Sequence, residues 1–358
     1  MLARIAQELY WLGRDVTRAE HTARMLDGAF HADVAGGVEA GGADGSALAR
    51  AGIALSWAGV LAVIGAKPPA PGEAGALPVA GTAPPSVAGP LGRAEIAPLL
   101  TLDTESPASV VSCVHRARER ARTLRDVVSA EMWEALNSFY LSLARYDLEA
   151  ALATGPYSVY QEVKERCALF WGLLEKTMLR DEARSFLDAG GRIEEADMVL
   201  RMLRVAIPAA AAEGQGEGEG EGEGESEGEA AREAEALALL QAVGGFQAFR
   251  RHLRRAPALS SVGRFLLYEA QYPGSVRASL EALRDALETA DRAPRSAPPV
   301  LRLGRLIAEL ELQQRMAAVS EPLAASLARA ADELELIDRE IDERYFAVAA
   351  VAALHFER

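Results

Sequence analysis

The chain has 358 residues, half of them apolar, with two cysteines and a formal net charge of -14. This size suits one large domain or two packed units, and Cys113 and Cys167 lie too far apart in sequence to indicate a disulfide scaffold or a thiolate metal site. The first residues are amphipathic rather than signal-like and no apolar run reaches the length of a membrane span, so we expect a cytoplasmic protein.

The first predicted helix begins near the first residue. Its apolar side chains recur at alternating steps of four and three, which places them on one stripe facing a partner helix. The stripe comprises Ile5, Leu9, Leu12, Val16, Ala19, Ala23 and Leu26. A second packed helix is expected within 51–66, where the sequence is apolar and rich in Ala and Gly.

Two segments have compositions that do not suit a packed core. Residues 66–92 are rich in Pro, Gly and Ala, so we expect an extended, mobile loop. Residues 209–231 alternate Gly and Glu, and eight glutamates there supply more than half of the net charge. Because apolar side chains are almost missing from this segment, burial cannot offset the entropy cost of ordering it, and we expect a disordered insertion.

The next helix is expected to start with Ser106 as its N-cap and Pro107 at its first position. Its apolar stripe consists of Val110, Val114, Ala117, Ala121, Leu124 and Val128. Further helices are expected over 130–154, ended by Gly155-Pro156, and over 158–179. The inward positions of the latter are Val163, Cys167, Phe170 and Leu174.

Asp181 is the expected N-cap of another helix, and the Gly-Gly pairs at 190/191 and 244/245 indicate helix breaks. The last helix has the stripe Leu323, Leu327, Ala330, Leu334, Ile337 and Ile341. Since strand-like alternation with hairpin signals is missing from the sequence, we predict an all-α fold.

An internal repeat is the most informative pattern in the chain. A shift of 177 places Gly13 on Gly190, Glu20 on Asp197, and the string 24–26 on the identical string 201–203, while a shift of 166 aligns 107–110 with 273–276. The sequence therefore predicts a bundle of two diverged, pseudo-symmetric helical units over 1–155 and 156–346, followed by a tail over 347–358.

Two acid-arginine pairs at helical spacing, Glu20 with Arg24 and Asp197 with Arg201, occupy matching positions in the two units. One interpretation is that both are structural ion pairs that fix how the two helices cross. The other is that Glu20 and Asp197 act as acid or base groups in catalysis. The sequence leaves both readings open.

Arginines on the first helix also suggest an anion-binding groove, because their planar forks of donors suit a carboxylate or a phosphate. The candidate binding residues are Tyr10, Arg14, Arg18, Arg24 and Arg201. Motifs of nucleophile elbows and phosphate loops are missing, and none of the five histidines has a Glu three residues before it, so we predict no cofactor and no metal. For the arginine runs over 116–125, which includes Glu119, and 250–255, the negative net charge of the chain favours solvated or ion-paired faces over a nucleic-acid site.

The strings 8–14 (ELYWLGR) and 18–24 (RAEHTAR) resemble the opening signature of the alpha-E domain family of bacterial helical proteins. The segments 131–137, 177–182, 265–267, 272–276 and 344–346 agree with the same family, so the resemblance spans nearly the whole chain. Two departures stand out: Thr17-Arg18 occupies the place of a usual Glu-Arg, and Gly191 occupies the place where the family more often has Arg.

The resemblance implies association with a circularly permuted ATP-grasp protein that forms amide bonds in peptides. Our leading hypothesis is that the chain is a helical accessory or scaffold subunit of such a ligase and helps to present a peptide or amino-acid substrate. A second hypothesis makes the chain itself catalytic, with Glu20 and Asp197 as acid/base groups and arginines holding an anionic substrate. A third makes it an interaction protein without a role in ligation.

Overall fold

A computed structural model describes residues 1–39, 56–66, 92–147, 150–151, 157–207, 224–316 and 322–347. For 32–39, 157–158 and 224–231 it describes the backbone alone. Within these ranges every regular element is a helix, which confirms the all-α prediction. None of the described helices combines the length and the apolar character that a membrane span requires.

Six helices lie in the described part of the first half of the chain: α1 Ala3–Glu39, α2 Trp57–Ile64, α3 Arg93–Thr101, α4 Val110–Thr123, α5 Ala130–Leu143 and α6 Tyr157–Thr177. Seven lie in the described part of the second half: α7 Glu182–Ala206, α8 Gly224–Ala242, α9 Phe246–Leu253, α10 Leu259–Tyr268, α11 Val276–Ala290, α12 Pro298–Arg315 and α13 Leu323–Ile341. A 3-10 turn covers Pro294–Ser296, and a π-helical turn, Asp342–Phe346, continues α13.

Helices α1 and α7 run side by side in the same direction at the centre of the bundle, as the contacts of the Met1 amine with Glu182 and of Arg14 with Glu194 indicate. Their closest approach is at two glycines. A Cβ added to Gly13 would lie 2.2 Å from the Leu187 carbonyl oxygen, and one added to Gly190 would lie 1.8 Å from that of Tyr10. Only glycine permits this approach of two backbones.

This packing corrects the prediction of a helix break at Gly190-Gly191, because both residues lie inside α7. Because glycine has no side chain, these two residues let neighbouring elements approach α7; they do not end it. The prediction for 244/245 is confirmed, since Gly244 has φ 70° and the pair separates α8 from α9. Left-handed backbone of this kind favours glycine and ends a helix.

The two halves of the chain share an order of packing. In the first half α4 packs on α1 and α5, and α6 also packs on α1 and α5. In the second half α11 packs on α7 and α12, and α13 also packs on α7 and α12. That the halves descend from one duplicated unit stays a prediction, as do the unit boundaries.

The apolar stripes are confirmed, and several boundaries move. All of the α1 stripe except the half-buried Ile5 is buried, as are the stripes assigned to α4 and α6 and, apart from Leu323, that of α13. The expected N-cap Ser106 is wrong, because α4 starts after Ser109, whose hydroxyl accepts from the Ser112 amide at 3.2 Å. Asp181 caps α7 as predicted, by accepting from the amides of Ala183 and Arg184.

The helix expected over 130–154 ends earlier, at Leu143, where a turn follows. The predicted stop at 155/156 and residues 51–55, 67–91 and 348–358 lie outside the described residues. The disordered insertion expected over 209–231 stays a prediction: residues 209–223 lie outside the described residues, and helix α8 begins at Gly224. Beyond that residue Glu and Ala increasingly replace Gly, and extending a helix that is already packed is cheaper than nucleating one.

Candidate functional site between the central helices

A cluster of charged residues, built around the buried Glu194 and Arg14, joins α1, α7 and α13. Glu194 of α7 is fully buried and accepts from Arg14 Nε at 2.9 Å and from Arg18 Nε at 2.5 Å. Asp338 of α13 lies 2.7 Å from Arg14 Nη1 and accepts a hydrogen bond of 2.7 Å from the hydroxyl of Tyr10. Two arginines and two carboxylates therefore balance each other's charge, and we call these four residues with Tyr10 the central ion cluster.

The helices provide this cluster by their periodicity. Tyr10, Arg14 and Arg18 recur every four residues, beside the apolar stripe of α1, so they face α7 and α13 together. Burial alone raises the pKa of the Glu194 carboxyl, but the charges of Arg14 and Arg18 outweigh that effect and hold it below its ordinary value. Burial also raises the pKa of the Tyr10 phenol. Both groups are therefore fixed in the forms that make these contacts at neutral pH.

The other side of the α1–α7 contact has a different composition. Thr17 faces Gly191 there: a Cβ added to Gly191 would lie 3.4 Å from Thr17 Oγ1 and only 2.5 Å from Cη2 of Trp171. The indole of Trp171, from α6, thus lies directly against the Gly191 backbone. Under the shift of 177, Gly191 corresponds to Arg14 and Thr17 corresponds to Glu194, so an uncharged contact stands where the repeat would place a second ion pair.

The two predicted acid-arginine pairs both form within their helices. Arg24 bonds Glu20 at 2.8 and 3.0 Å, and Arg201 bonds Asp197 at 3.0 Å. The pairs do not meet one another. Arg24 lies beside Gly244, which ends α8, and Arg201 lies beside Gly65, which ends α2, so each arginine faces a left-handed glycine of the opposite half.

A cleft between α7 and α13, with a volume of about 290 Å³, brings part of the predicted site together. We call it the arginine cleft; its lining includes Arg14, Asp197, Arg201, Arg204 and Asp338. Burial raises the pKa of the Asp197 carboxyl, and Arg201 opposes that rise. Of the predicted residues, Arg14, Asp197 and Arg201 thus share one cleft, whereas Glu20 and Arg24 lie at the α8 side of α1.

The arginine run of α4 forms an ion-paired face. Arg116 and Arg120 both contact the buried Asp15, at 2.8 and 3.1 Å, and Arg120 also binds Glu8 at 2.6 Å. Arg116 lies 3.2 Å from the sulfur of Cys113, where burial raises the thiol pKa to about 12. The cysteine is therefore kept as a neutral thiol.

The Alpha-E family model, described as "a predicted alpha-helical domain with a conserved ER motif", matches residues 1–346. The chain belongs to the Alpha-E family. No curated protein and no solved structure matches it. In this Alpha-E chain Arg18 pairs with Glu194 of the other half.

Neither Asp338 nor Glu194 was identified from the sequence as part of this site. A signal existed for both residues. Asp338 directly follows the buried Ile337 of the α13 stripe, and Glu194 directly follows the buried Ile193 of α7. A carboxylate at the edge of an apolar stripe requires a cationic partner on the facing helix, but the sequence does not identify that helix.

Proposed function

We propose that this Alpha-E protein is a non-catalytic accessory subunit of a circularly permuted ATP-grasp amide ligase, to which it helps to present a peptide or amino-acid substrate. The family resemblance implies such a ligase as the partner. The observation that carries the non-catalytic part is the mutual neutralisation of the charged residues in the central ion cluster.

A catalytic acid, base or anion-binding group has to reach its substrate. Glu194 is 0% exposed and Arg14 is 7% exposed, and each is already held by oppositely charged partners. Breaking such a buried pair leaves an uncompensated charge, which costs about 3–5 kcal/mol. These features favour a role in fixing how α1, α7 and α13 pack.

The accessible part of the site suits binding. Arg201 is 40% exposed at its side chain, and Arg204 is exposed with no ion-pair partner among the described residues. Both border the arginine cleft together with carboxylates. A cleft that offers groups of both signs fits a zwitterionic or peptidic ligand better than a simple anion.

The main test is reconstitution with the proposed partner, the circularly permuted ATP-grasp protein, together with ATP and candidate amino acids. We expect the two proteins to co-elute in size-exclusion chromatography, and we expect this chain to increase the formation of ADP and of a new amide, followed by mass spectrometry. The chain alone should release no ADP. Absence of a complex, together with a ligase rate that is independent of this chain, would refute the proposal.

A second candidate, that the chain itself is catalytic, is favoured by one observation: Asp197 borders the arginine cleft with a raised carboxyl pKa. Glu20→Gln and Asp197→Asn test it in the reconstituted reaction, with circular dichroism as the folding control. Under the accessory proposal Glu20→Gln leaves the ligase reaction unchanged within about twofold, and Asp197→Asn, which alters the arginine cleft, changes KM for the presented substrate while kcat stays within about twofold. Loss of about a hundredfold or more, the usual contribution of a general acid or base, would assign catalysis to the altered carboxylate.

A further inference from the structure

A second cleft lies next to the arginine cleft, on the other side of Asp338. Its volume is about 250 Å³, and we call it the aromatic cleft. Its lining includes Tyr10, Trp11, Asp338, Asp342, Glu343 and Phe346. Asp338 borders both clefts, so the two lie next to each other along α13 and the π-helical turn that continues it, and we refer to them together as the groove.

The charges of this groove that are unpaired among the described residues differ between its two ends: the cation Arg204 borders the arginine cleft, and free carboxylates border the aromatic cleft. Tyr10 and Arg14 already occupy the carboxylate of Asp338, and Arg339, which also borders the aromatic cleft, is paired with Glu335 at 2.8 Å. Asp342 and Glu343 are exposed and have no ion-pair partner among the described residues. The aromatic cleft therefore presents two unneutralised carboxylates above an aromatic floor.

The floor is rigid, which favours a preformed site. Tyr10 and Phe346 are each 2% exposed, and their ring centroids are 5.3 Å apart. The π-helical turn is what brings Phe346 onto Tyr10 and Phe186 while Asp342 and Glu343 point outward. Turns of this type are rare and are frequent at functional sites.

Carboxylates recognise organic cations by ion pairing, which is stronger beside an apolar wall than in open water. In the aromatic cleft an ammonium group can pair with Asp342 and Glu343, while the aromatic rings, whose faces are buried or already covered by Arg14, supply the apolar wall. From Asp332 to Glu343 the groove follows about 16 Å of helix, at about 1.5 Å per residue. An extended peptide of about five residues covers that length.

The equivalent position in the other half is closed. Asp338 contacts Arg14 on one side, whereas on the other side Trp171 contacts Gly191, which corresponds to Arg14 in the repeat. The indole fills the space that a groove there would need. The halves therefore differ in a way that leaves the opening along α13 on one side of the central helices.

We propose that the groove along α13 binds an amine-bearing amino acid or short peptide, with the ammonium group in the aromatic cleft against Asp342 and Glu343. Resting on the proposed function, this inference names the class of substrate that the accessory subunit presents: the amine that accepts the acyl group in amide formation. The ligase supplies the chemistry, and this chain holds the amine.

Isothermal titration calorimetry with alanyl-lysine amide tests the site in the full-length chain. We expect this dicationic probe to bind at least tenfold more tightly than its counterpart with both amines acetylated. In the double variant Asp342→Asn/Glu343→Gln, affinity for the cationic probe should fall at least tenfold. Both substitutions are exposed, so the melting temperature should stay near that of the wild type.

The matched control is Asp126→Asn/Glu134→Gln, which also removes two exposed carboxylates but lies away from the groove. It should keep wild-type affinity. Equal binding of the charged and acetylated probes, an equal loss in both double variants, or no binding of the cationic probe up to about 10 mM would each overturn the inference.

Complex formation with the ATP-grasp protein is measured on the same preparations, because it separates the two proposals. Cation binding without a ligase complex would refute the accessory function and leave the binding site standing. A ligase complex without cation binding would refute the binding site alone.

Discussion

The two sides of the contact between α1 and α7 solve the same packing problem differently. On one side Arg14 and Glu194 form a buried ion pair, and Asp338 supplies a further carboxylate. On the other side Thr17, Gly191 and Trp171 meet without any charge. Both sides belong to one helix crossing, so that crossing does not require an ion pair. It does require the close backbone contacts at Gly13 and Gly190.

The largest effect should come from the glycine contact itself. In Gly190→Ala the new Cβ would lie 1.8 Å from a backbone oxygen, which cannot rotate away, so α1 and α7 must separate. We expect a loss of more than about 4 kcal/mol in the free energy of unfolding, measured by urea denaturation. The control is Gly304→Ala in α12, where an added Cβ meets nothing within 4 Å. It should gain about 0.5–1 kcal/mol, and equal behaviour of the two variants would refute the argument.

The next effect tests the charged side against the uncharged side. Glu194→Ala leaves Arg14 and Arg18 without the carboxylate that both contact, so we expect a loss of about 3–5 kcal/mol. Thr17→Val, at the corresponding position of α1, should cost less than about 1.5 kcal/mol because no charge is left unpaired. Chemical denaturation of both variants gives the comparison. Similar losses in the free energy of unfolding would show that the central ion cluster stabilises the crossing no more than the uncharged side does.

A double-mutant cycle sharpens the description of the uncharged side. Gly191→Ala alone forces the ring of Trp171 to move and should cost about 1–3 kcal/mol. In a Trp171→Ala background the same change should cost almost nothing, giving a coupling energy of about 0.5–3 kcal/mol by urea denaturation. Additive effects would mean that the indole does not fill the space beside Gly191.

The smallest effect is the pH dependence of the charged side. The pKa of Glu194 is lowered in the folded protein, so its contribution to stability is complete above the unfolded pKa of about 4.3 and is lost as the pH falls through the folded value. Wild type should therefore lose more stability than Glu194→Gln between pH 6 and the acid limit of folding, as followed by thermal melting in a pH series. Parallel curves for the two proteins would contradict the assignment.

Much of the fold followed from local pattern. Steps of four and three in α1, α4 and α13 identified the residues that are buried, and Asp181 was recognisable as a cap because its effect is local. Errors occurred where two elements meet. Gly190 and Gly191 resemble a break when only their own helix is considered, and their real role depends on Tyr10 and Trp171, which lie far away in sequence.

The candidate site was predicted in part for the same reason. Pairs at helical spacing, Glu20 with Arg24 and Asp197 with Arg201, could be read directly, and both form. The choice of Glu194 as the partner of Arg14 and Arg18 could not be read from the sequence. Many acidic residues on α7 and α13 have the same local spacing, and only one pairing is compatible with how the helices cross.

The sequence by itself determined which residues form helices, which face of each is apolar, and which family the motifs resemble, because these properties depend on composition and on a period of 3.6 residues. Tertiary structure alone decided that Arg14 and Glu194 are buried together, that Trp171 closes the opposite side, and that an acidic, aromatic groove remains open along α13. The reason is physical: contacts between helices depend on their distance and angle. In this protein the distance and angle between α1 and α7 are set by Gly13 and Gly190, whose role is visible only once the two helices are packed together.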